Sequence, residues 1–125
     1  MFGKKKQEKE LLRAKINTLV GKETTVVGVI KFEGGLHVVG TIKGGAESDD
    51  EHSLLIVGEG ALITGDIYVN HLIVNGTIEG NVYAKGKVEL FDKARIEGDV
   101  HYGLIELPVG AQLDGQLIRY DESGI

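Results

Sequence analysis

A short repeat places the strongest constraint on how this chain can fold. A glycine, a polar residue and an aliphatic residue recur at Gly65-Asp66-Ile67, Gly80-Asn81-Val82 and Gly98-Asp99-Val100, with a weaker copy at Gly115-Gln116-Leu117. The copies start 15, 18 and 17 residues apart. Such a short period is typical of a β-solenoid, in which each turn of the chain, or rung, stacks on the one before it. The repeat therefore predicts an architecture, but it contains no pattern typical of catalysis.

Between the copies, apolar residues alternate with polar residues, which is the period of a β-strand. The apolar phase comprises Leu72, Val74, Ile78, Val82, Ala84, Val88, Leu90, Ala94, Ile96 and Val100. No comparable stripe occurs at the three- and four-residue spacing of a helix. Three short strands fit into roughly 17 residues, and stacking at about 4.8 Å lets small rungs share one core. We therefore predict an all-β, single-stranded parallel β-helix of about six rungs, flanked by short disordered tails.

The composition fits one domain with short tails. The chain has 125 residues, 19 glycines and no cysteine, which excludes disulfide and thiol chemistry. No apolar run approaches the roughly 20 residues of a membrane span, and the start lacks the apolar segment of a signal peptide. We expect a basic N-terminal tail over residues 1–17, the β-helix over 18–119, a C-terminal tail over 120–125, and a cytoplasmic location.

The charge is unevenly distributed along the chain. The net charge is −5, but residues 1–22 carry seven basic and two acidic side chains, so the remainder carries −10. An acidic body disfavours nucleic acid as a partner. In the basic head, Met1 and Phe2 would enter a membrane interface while Lys4, Lys5 and Lys6 face anionic lipid, each contributing about 1 kcal/mol. The alternative for this head is a solvated, disordered tail.

Residues 7–20 are compatible with two structures. Leu11, Leu12, Ile16, Leu19 and Val20 could form the apolar side of a short amphipathic helix. So short a helix is marginal without a partner, and a loose linker running to the first rung also explains the segment.

Two acidic residues of the repeat raise the question of catalysis. Asp66 and Asp99 occupy the same repeat position two rungs apart, or roughly 10 Å, which lies within the range of carboxylate pairs in inverting glycosidases. Asn81 and Gln116 hold that same position, however. A polar ladder at one corner explains all four residues, so we predict no catalytic pair.

The remaining ionisable residues also lack the spacing of a functional site. His37, His52, His71 and His101 follow no metal-ligand pattern and are expected on the surface. The acidic run from Glu47 to His52 lacks calcium-loop spacing and is expected to be a solvated loop between strands. We therefore predict no metal, no cofactor and no enzymatic activity.

The ordered set of repeats over residues 18–118 resembles the bactofilins. The segments that carry the resemblance include Gly40-Thr41-Ile42-Lys43-Gly44, Val74-Asn75-Gly76-Thr77-Ile78 and Ala94-Arg95-Ile96-Glu97-Gly98. The resemblance implies a right-handed parallel β-helix that polymerises without nucleotide into bacterial cytoskeletal filaments at the inner face of the cytoplasmic membrane. It also implies roles in cell shape and in placing cell-wall enzymes. Met1-Phe2-Gly3-Lys4-Lys5-Lys6 is similar to the membrane-targeting segment of many members.

The two ends of the predicted solenoid are candidates for self-association. A solenoid end exposes unpaired strand edges and core side chains, and monomeric solenoids cover these ends with caps. The sequence shows no clear cap after Ile118, so we expect a homopolymer formed through the ends. The predicted contacts are Val26, Val29, Ile30 and Phe32 at one end and Leu113, Leu117, Ile118 and Tyr120 at the other.

An acyltransferase on a left-handed β-helix is the alternative from another functional class. Leu72, Ile78, Ala84, Leu90 and Ile96 fall at the six-residue steps that hexapeptide enzymes require. The phase breaks where the repeat intervals are 15 and 17 residues, and no catalytic histidine or acyl-donor cleft can be located. Trimers that bind acyl-CoA would support this alternative, and filaments would exclude it.

Overall fold

The computed structural model describes residues 16–121, and within this range every regular element is a β-strand and every strand pair is parallel. The residues predicted to contact the membrane, Met1, Phe2, Lys4, Lys5 and Lys6, lie outside this range. Ile16–Val20 is a strand, so the helical alternative for residues 7–20 is wrong for these five residues. Residues 7–15 of that segment are outside the described range.

The chain winds six times through three faces, which confirms the predicted solenoid. The first face holds β1 (Ile16–Val20), β4 (Gly35–Val38), β7 (Leu54–Val57) and β10 (His71–Val74). The second face holds β2 (Thr25–Val27), β5 (Thr41–Lys43), β8 (Leu62–Thr64), β11 (Thr77–Glu79), β13 (Arg95–Glu97) and β15 (Gln112–Asp114). The third face holds β3 (Ile30–Lys31), β6 (Ala46–Glu47), β9 (Ile67–Val69) and β16 (Leu117–Arg119).

Two longer strands, β12 (Val82–Leu90) and β14 (Val100–Glu106), run along the third face and continue round the corner onto the first. The start of β12 pairs with β9 on the third face, and its end pairs with β10 on the first. β14 pairs with β12 along both parts. One strand can serve two faces here because few residues separate them, and the two faces are consequently joined into a single ten-stranded sheet.

The core consists of aliphatic ladders in which each rung contributes one side chain per position. On the second face the ladder is Val26, Ile42, Ile63, Ile78, Ile96 and Leu113, all in register. The four middle members are 0% exposed, whereas the first and last are only partly buried. The apolar phase predicted from Leu72 to Val100 is buried throughout. Burial of each such side chain stabilises the fold by about 1.5–3 kcal/mol, so stability depends on stacking of neighbours.

The repeat glycine stands at the corner between the second and third faces, where successive rungs approach most closely. A Cβ at Gly80 would lie 2.0 Å from the Gly65 carbonyl oxygen, and a Cβ at Gly98 would lie 2.1 Å from that of Gly80. Backbone cannot yield as a flexible side chain can, so only glycine fits. Close approach of the backbone therefore explains the glycine at this corner from the second rung onward.

Candidate self-association site

The residues that follow the repeat glycine form the predicted polar ladder. The Asn81 N–H donates to Asp66 Oδ1, the Asp99 N–H donates to Asn81 Oδ1, and the Gln116 N–H donates to Asp99 Oδ1, each at 2.9 Å. A side-chain oxygen on one rung thus satisfies a backbone donor on the next, which the corner would otherwise leave without a strand partner. Asp66 and Asp99 serve the corner structure, and the catalytic pair is not supported.

His71 differs from the expected surface histidine. Its side chain is half-buried at the corner between the third and first faces, and its Nδ1 accepts a hydrogen bond from the Lys87 N–H at 3.2 Å. Burial lowers the pKa of the imidazole below its usual 6.5, and the charges of His52 and Lys87 lower it further. Since the acceptor nitrogen must be unprotonated, the neutral form of His71 is the one that makes this hydrogen bond at the corner.

The acidic run forms the connection between β6 and β7, as predicted. The Asp50 carboxylate accepts hydrogen bonds from the Gly34 and His52 N–H groups, both at 3.0 Å, and these bonds lower the pKa of Asp50. The backbone donors therefore stabilise the charged form of this carboxylate. Within residues 16–121, no group of three or more histidine, cysteine, aspartate and glutamate residues is placed to hold a metal ion.

An aromatic row on the outer side of the third face was not predicted from the sequence. The rings of Tyr68 and Tyr83 stack with centroids 4.6 Å apart, and Tyr83 stacks on His101 at 4.5 Å. Tyr120 lies at the end of the row, 6.1 Å from His101. The signal was present, since Tyr68, Tyr83 and His101 each follow a repeat glycine by three residues.

The end rungs leave their outer strand edges unpaired within the described part of the chain. β1, β2 and β3 pair only with the second rung, and β15 and β16 pair only with the fifth. Ten large apolar side chains are exposed in residues 16–121, and eight of them lie on the first and last rungs. These eight are Ile16, Leu19, Val27, Val29, Leu104, Leu107, Val109 and Leu117. Exposed apolar side chains are therefore concentrated on the two end rungs of the described residues.

The structure places the predicted polymer contacts on these two rungs, but in different settings. Val26, Ile30 and Leu113 end inward ladders, and Phe32 also packs partly against the core. Val29 and Leu117 are exposed, by 54% and 40%. Their role in polymer contacts stays a prediction.

Ile118 and Tyr120 lie elsewhere on the last rung. Ile118 is in register with His101, and Tyr120 is beside that ring, so both belong to the side of the third face and not to the core ladder. Leu104, Leu107 and Val109 were missed at the same end. The apolar run that contains them could have identified them, because no inward-outward alternation survives from Gly103 to Val109.

Stacked parallel rungs define a class of protein, the parallel β-solenoid, and the end rungs of the described residues carry unpaired strand edges and exposed apolar side chains. The family model described as "Bactofilin: Polymer-forming cytoskeletal" matches residues 18–118. The chain belongs to the bactofilin family. The family description and the solenoid fold together support a self-associating cytoskeletal scaffold.

Two relatives come from Myxococcus xanthus (strain DK1622). This chain is similar to Bactofilin BacO, with 31% identity over 101 residues that span 81% of this chain and 78% of BacO. It is also similar to Bactofilin BacP, with 28% identity over 101 residues that span 81% of this chain and 41% of BacP. No solved structure gave a significant match to the chain.

Proposed function

We propose that this bactofilin polymerises end to end, without nucleotide, into filaments at the inner face of the cytoplasmic membrane. The observation that carries this proposal is the concentration of exposed apolar side chains and unpaired strand edges on the two end rungs. Burial of that surface favours association, and pairing of the edges aligns the rods. The filament would act as a scaffold that places cell-wall or envelope proteins and contributes to cell shape.

The end contact can be broken with one charge. Leu117 is 40% exposed on the last rung and is in register with the buried Val100, so Leu117→Arg would place a charge at the open end of that core ladder, in the proposed contact. We expect a folded monomer or dimer by size-exclusion chromatography and no filaments in negative-stain electron micrographs. Phe91→Arg is the matched control, because Phe91 is 44% exposed but lies on the side of the fifth rung. Normal filaments from Leu117→Arg would overturn this end assignment.

We propose no enzymatic role for the chain. Asp66 and Asp99 are engaged by backbone donors, and the six-residue spacing of Leu72, Ile78 and Ala84 places these side chains on three successive faces of one core. The six-residue spacing therefore follows from the three faces of each rung and does not by itself indicate an acyltransferase. Discrete trimers in the same micrographs, together with acyl-CoA binding, would favour the acyltransferase alternative.

The membrane contact is proposed for Met1, Phe2, Lys4, Lys5 and Lys6. Residues 16–121 contain no helix that is long and apolar enough to cross a bilayer. Three lysines and one aromatic side chain form a weak anchor in a single chain, but the anchors of one filament act together. Deletion of residues 2–6 should abolish sedimentation with anionic vesicles and spare filaments, with uncharged vesicles as the control. Unchanged sedimentation after the deletion would refute this anchor.

A further inference from the structure

A groove on the side of the solenoid runs from the acidic loop towards Tyr120 on the last rung. It encloses about 480 Å³ between residues 48–51 of the acidic loop and the aromatic row of the third face. Asp49, Asp50 and Glu51 line one wall, and Tyr68 and Tyr83 line the other. The two walls differ in chemistry, because one carries carboxylates and the other carries aromatic rings.

The aromatic wall is a continuous row of stacked rings. Tyr68 and Tyr83 are parallel to within 4°, and Tyr83 and His101 to within 15°. Because the ring faces stack on one another between rungs, the row exposes the ring edges as a strip along the third face. Lysine and arginine side chains have aliphatic stems that pack on such a strip and charged ends that reach a neighbouring carboxylate.

The charge of the groove favours a cationic occupant. Asp50 is held by the Gly34 and His52 N–H groups, whereas Asp49 and Glu51 are exposed at the rim. Lys85 is the single basic residue that lines the groove among the described residues. The described solenoid is acidic as a whole, with eight basic and sixteen acidic residues over 16–121. A basic segment is therefore the complementary ligand.

The chain itself supplies such a segment beside the groove. Residues 4–15 contain six basic and two acidic side chains. This segment directly precedes Ile16, the first residue of β1. Ile16 pairs with Gly35, and the adjacent Gly34 N–H donates to Asp50 Oδ2 at 3.0 Å. The segment thus joins the solenoid at the same corner as the acidic loop. About two rung spacings, or roughly 10 Å, separate Ile16 from that loop. Three or four extended residues, at roughly 3.3 Å each, span that distance.

We propose that this groove binds the basic segment of the same chain, residues 4–15. The lysine and arginine head groups pair with Asp49 and Glu51, and their stems lie against Tyr68 and Tyr83. The covalent tether gives the segment a high effective concentration at the groove, so individually weak ion pairs suffice. The proposal does not depend on the end contacts, but it competes with lipid binding, because Lys4, Lys5 and Lys6 belong to both proposed contacts.

Disulfide trapping in the full chain tests this contact, since the natural sequence has no cysteine. The test variant carries Gln7→Cys and Lys85→Cys, which pairs the segment with the groove. The matched control carries Gln7→Cys and Lys43→Cys, because Lys43 is also an exposed lysine but lies on the second face. We expect the first pair to form a disulfide at least roughly fivefold faster than the control pair, because the tether holds the segment near the groove. The oxidised product should run at monomer mass on a non-reducing gel.

The acidic wall is tested by neutralisation. Asp49→Asn with Glu51→Gln should remove most of the rate advantage of the first pair, whereas Asp114→Asn with Glu79→Gln, the same charge change on the second face, should leave it. Salt near 1 M, where the screening length is about 3 Å, should act like the first double variant. Equal trapping of both cysteine pairs would overturn the proposal. A product of dimer mass alone would also overturn it, because the segment would then bind another chain.

Discussion

The middle rungs and the end rungs follow the same repeat but have different surroundings. On the second face, Ile42, Ile63, Ile78 and Ile96 are each covered by a rung on both sides and are fully buried. Val26 and Leu113 hold the same ladder position with one neighbour, and both remain partly exposed. All six side chains are aliphatic, so the difference in burial follows from the number of neighbouring rungs. In the proposed assembly, one kind of rung therefore serves stability in the middle of the solenoid and association at its ends.

The largest contrast between the two regions is expected at glycine. A Cβ at Gly80 would meet the Gly65 carbonyl oxygen at 2.0 Å, whereas one at Gly21 on the first rung would meet only the Thr24 hydroxyl at 3.7 Å. Gly80→Ala should destabilise the fold by more than about 4 kcal/mol, and Gly21→Ala by less than about 0.5 kcal/mol. Thermal unfolding followed by circular dichroism measures both. Similar melting temperatures for the two variants would show that rung spacing at this corner adjusts freely.

A smaller contrast is expected for the core ladder. Ile78→Ala removes a fully buried side chain between two rungs and should cost about 2–5 kcal/mol in the free energy of unfolding. Leu113→Ala removes a partly buried side chain on the last rung, so we expect a loss of less than about 2 kcal/mol but a higher critical concentration for polymerisation. Denaturant titration and sedimentation separate the two effects. Equal losses of stability would mean that the last rung is as well covered as the fourth.

The smallest effect is a pH dependence that belongs to a middle rung. The lowered pKa of His71 means that the unfolded chain takes up this proton first, so stability should fall as the pH drops through 6.5 towards the lower pKa of the folded state. Loss of the Lys87 N–H bond should cost about 1 kcal/mol. His71→Gln should remove this decline, and His37→Gln should not. Asp50 contributes separately, because its stabilising effect is lost only as the pH falls below 3.8.

The strand period and the repeat spacing were sufficient to predict the stacked architecture and its buried phase. Both are local properties: Ile78 and Val82 could be assigned inward from alternation alone, and the corner from Gly80 between them. The aromatic row was missed although its spacing was visible, because stacking of Tyr68 on Tyr83 depends on the register between rungs. The site was predicted less completely for the same reason. Ile118 faces the side and not the end, which only its pairing with His101 reveals.

Asp50 and His71 show a second reason why contacts were not predicted from the sequence. Asp50 and His71 gain their partners from segments 16 residues away, the Gly34 and Lys87 N–H groups. Neither partner has a distinctive side chain that a sequence pattern could detect. A solvated loop and a surface histidine were reasonable expectations, but the backbone donors that orient these side chains appear only in the folded chain.

The glycine corner also bears on how proteins of this kind change length during evolution. Residues 80–97 form one complete repeat, and their removal would place Gly98 on the rung after Gly65, two glycines whose φ angles are 153° and 141°. Asp66 would then face the Asp99 N–H, which can replace the Asn81 N–H as its partner. Whole repeats can therefore be lost or duplicated without any change at the termini of the rod. Under the proposed end-to-end assembly, the size of the subunit and the chemistry of its assembly are free to evolve independently.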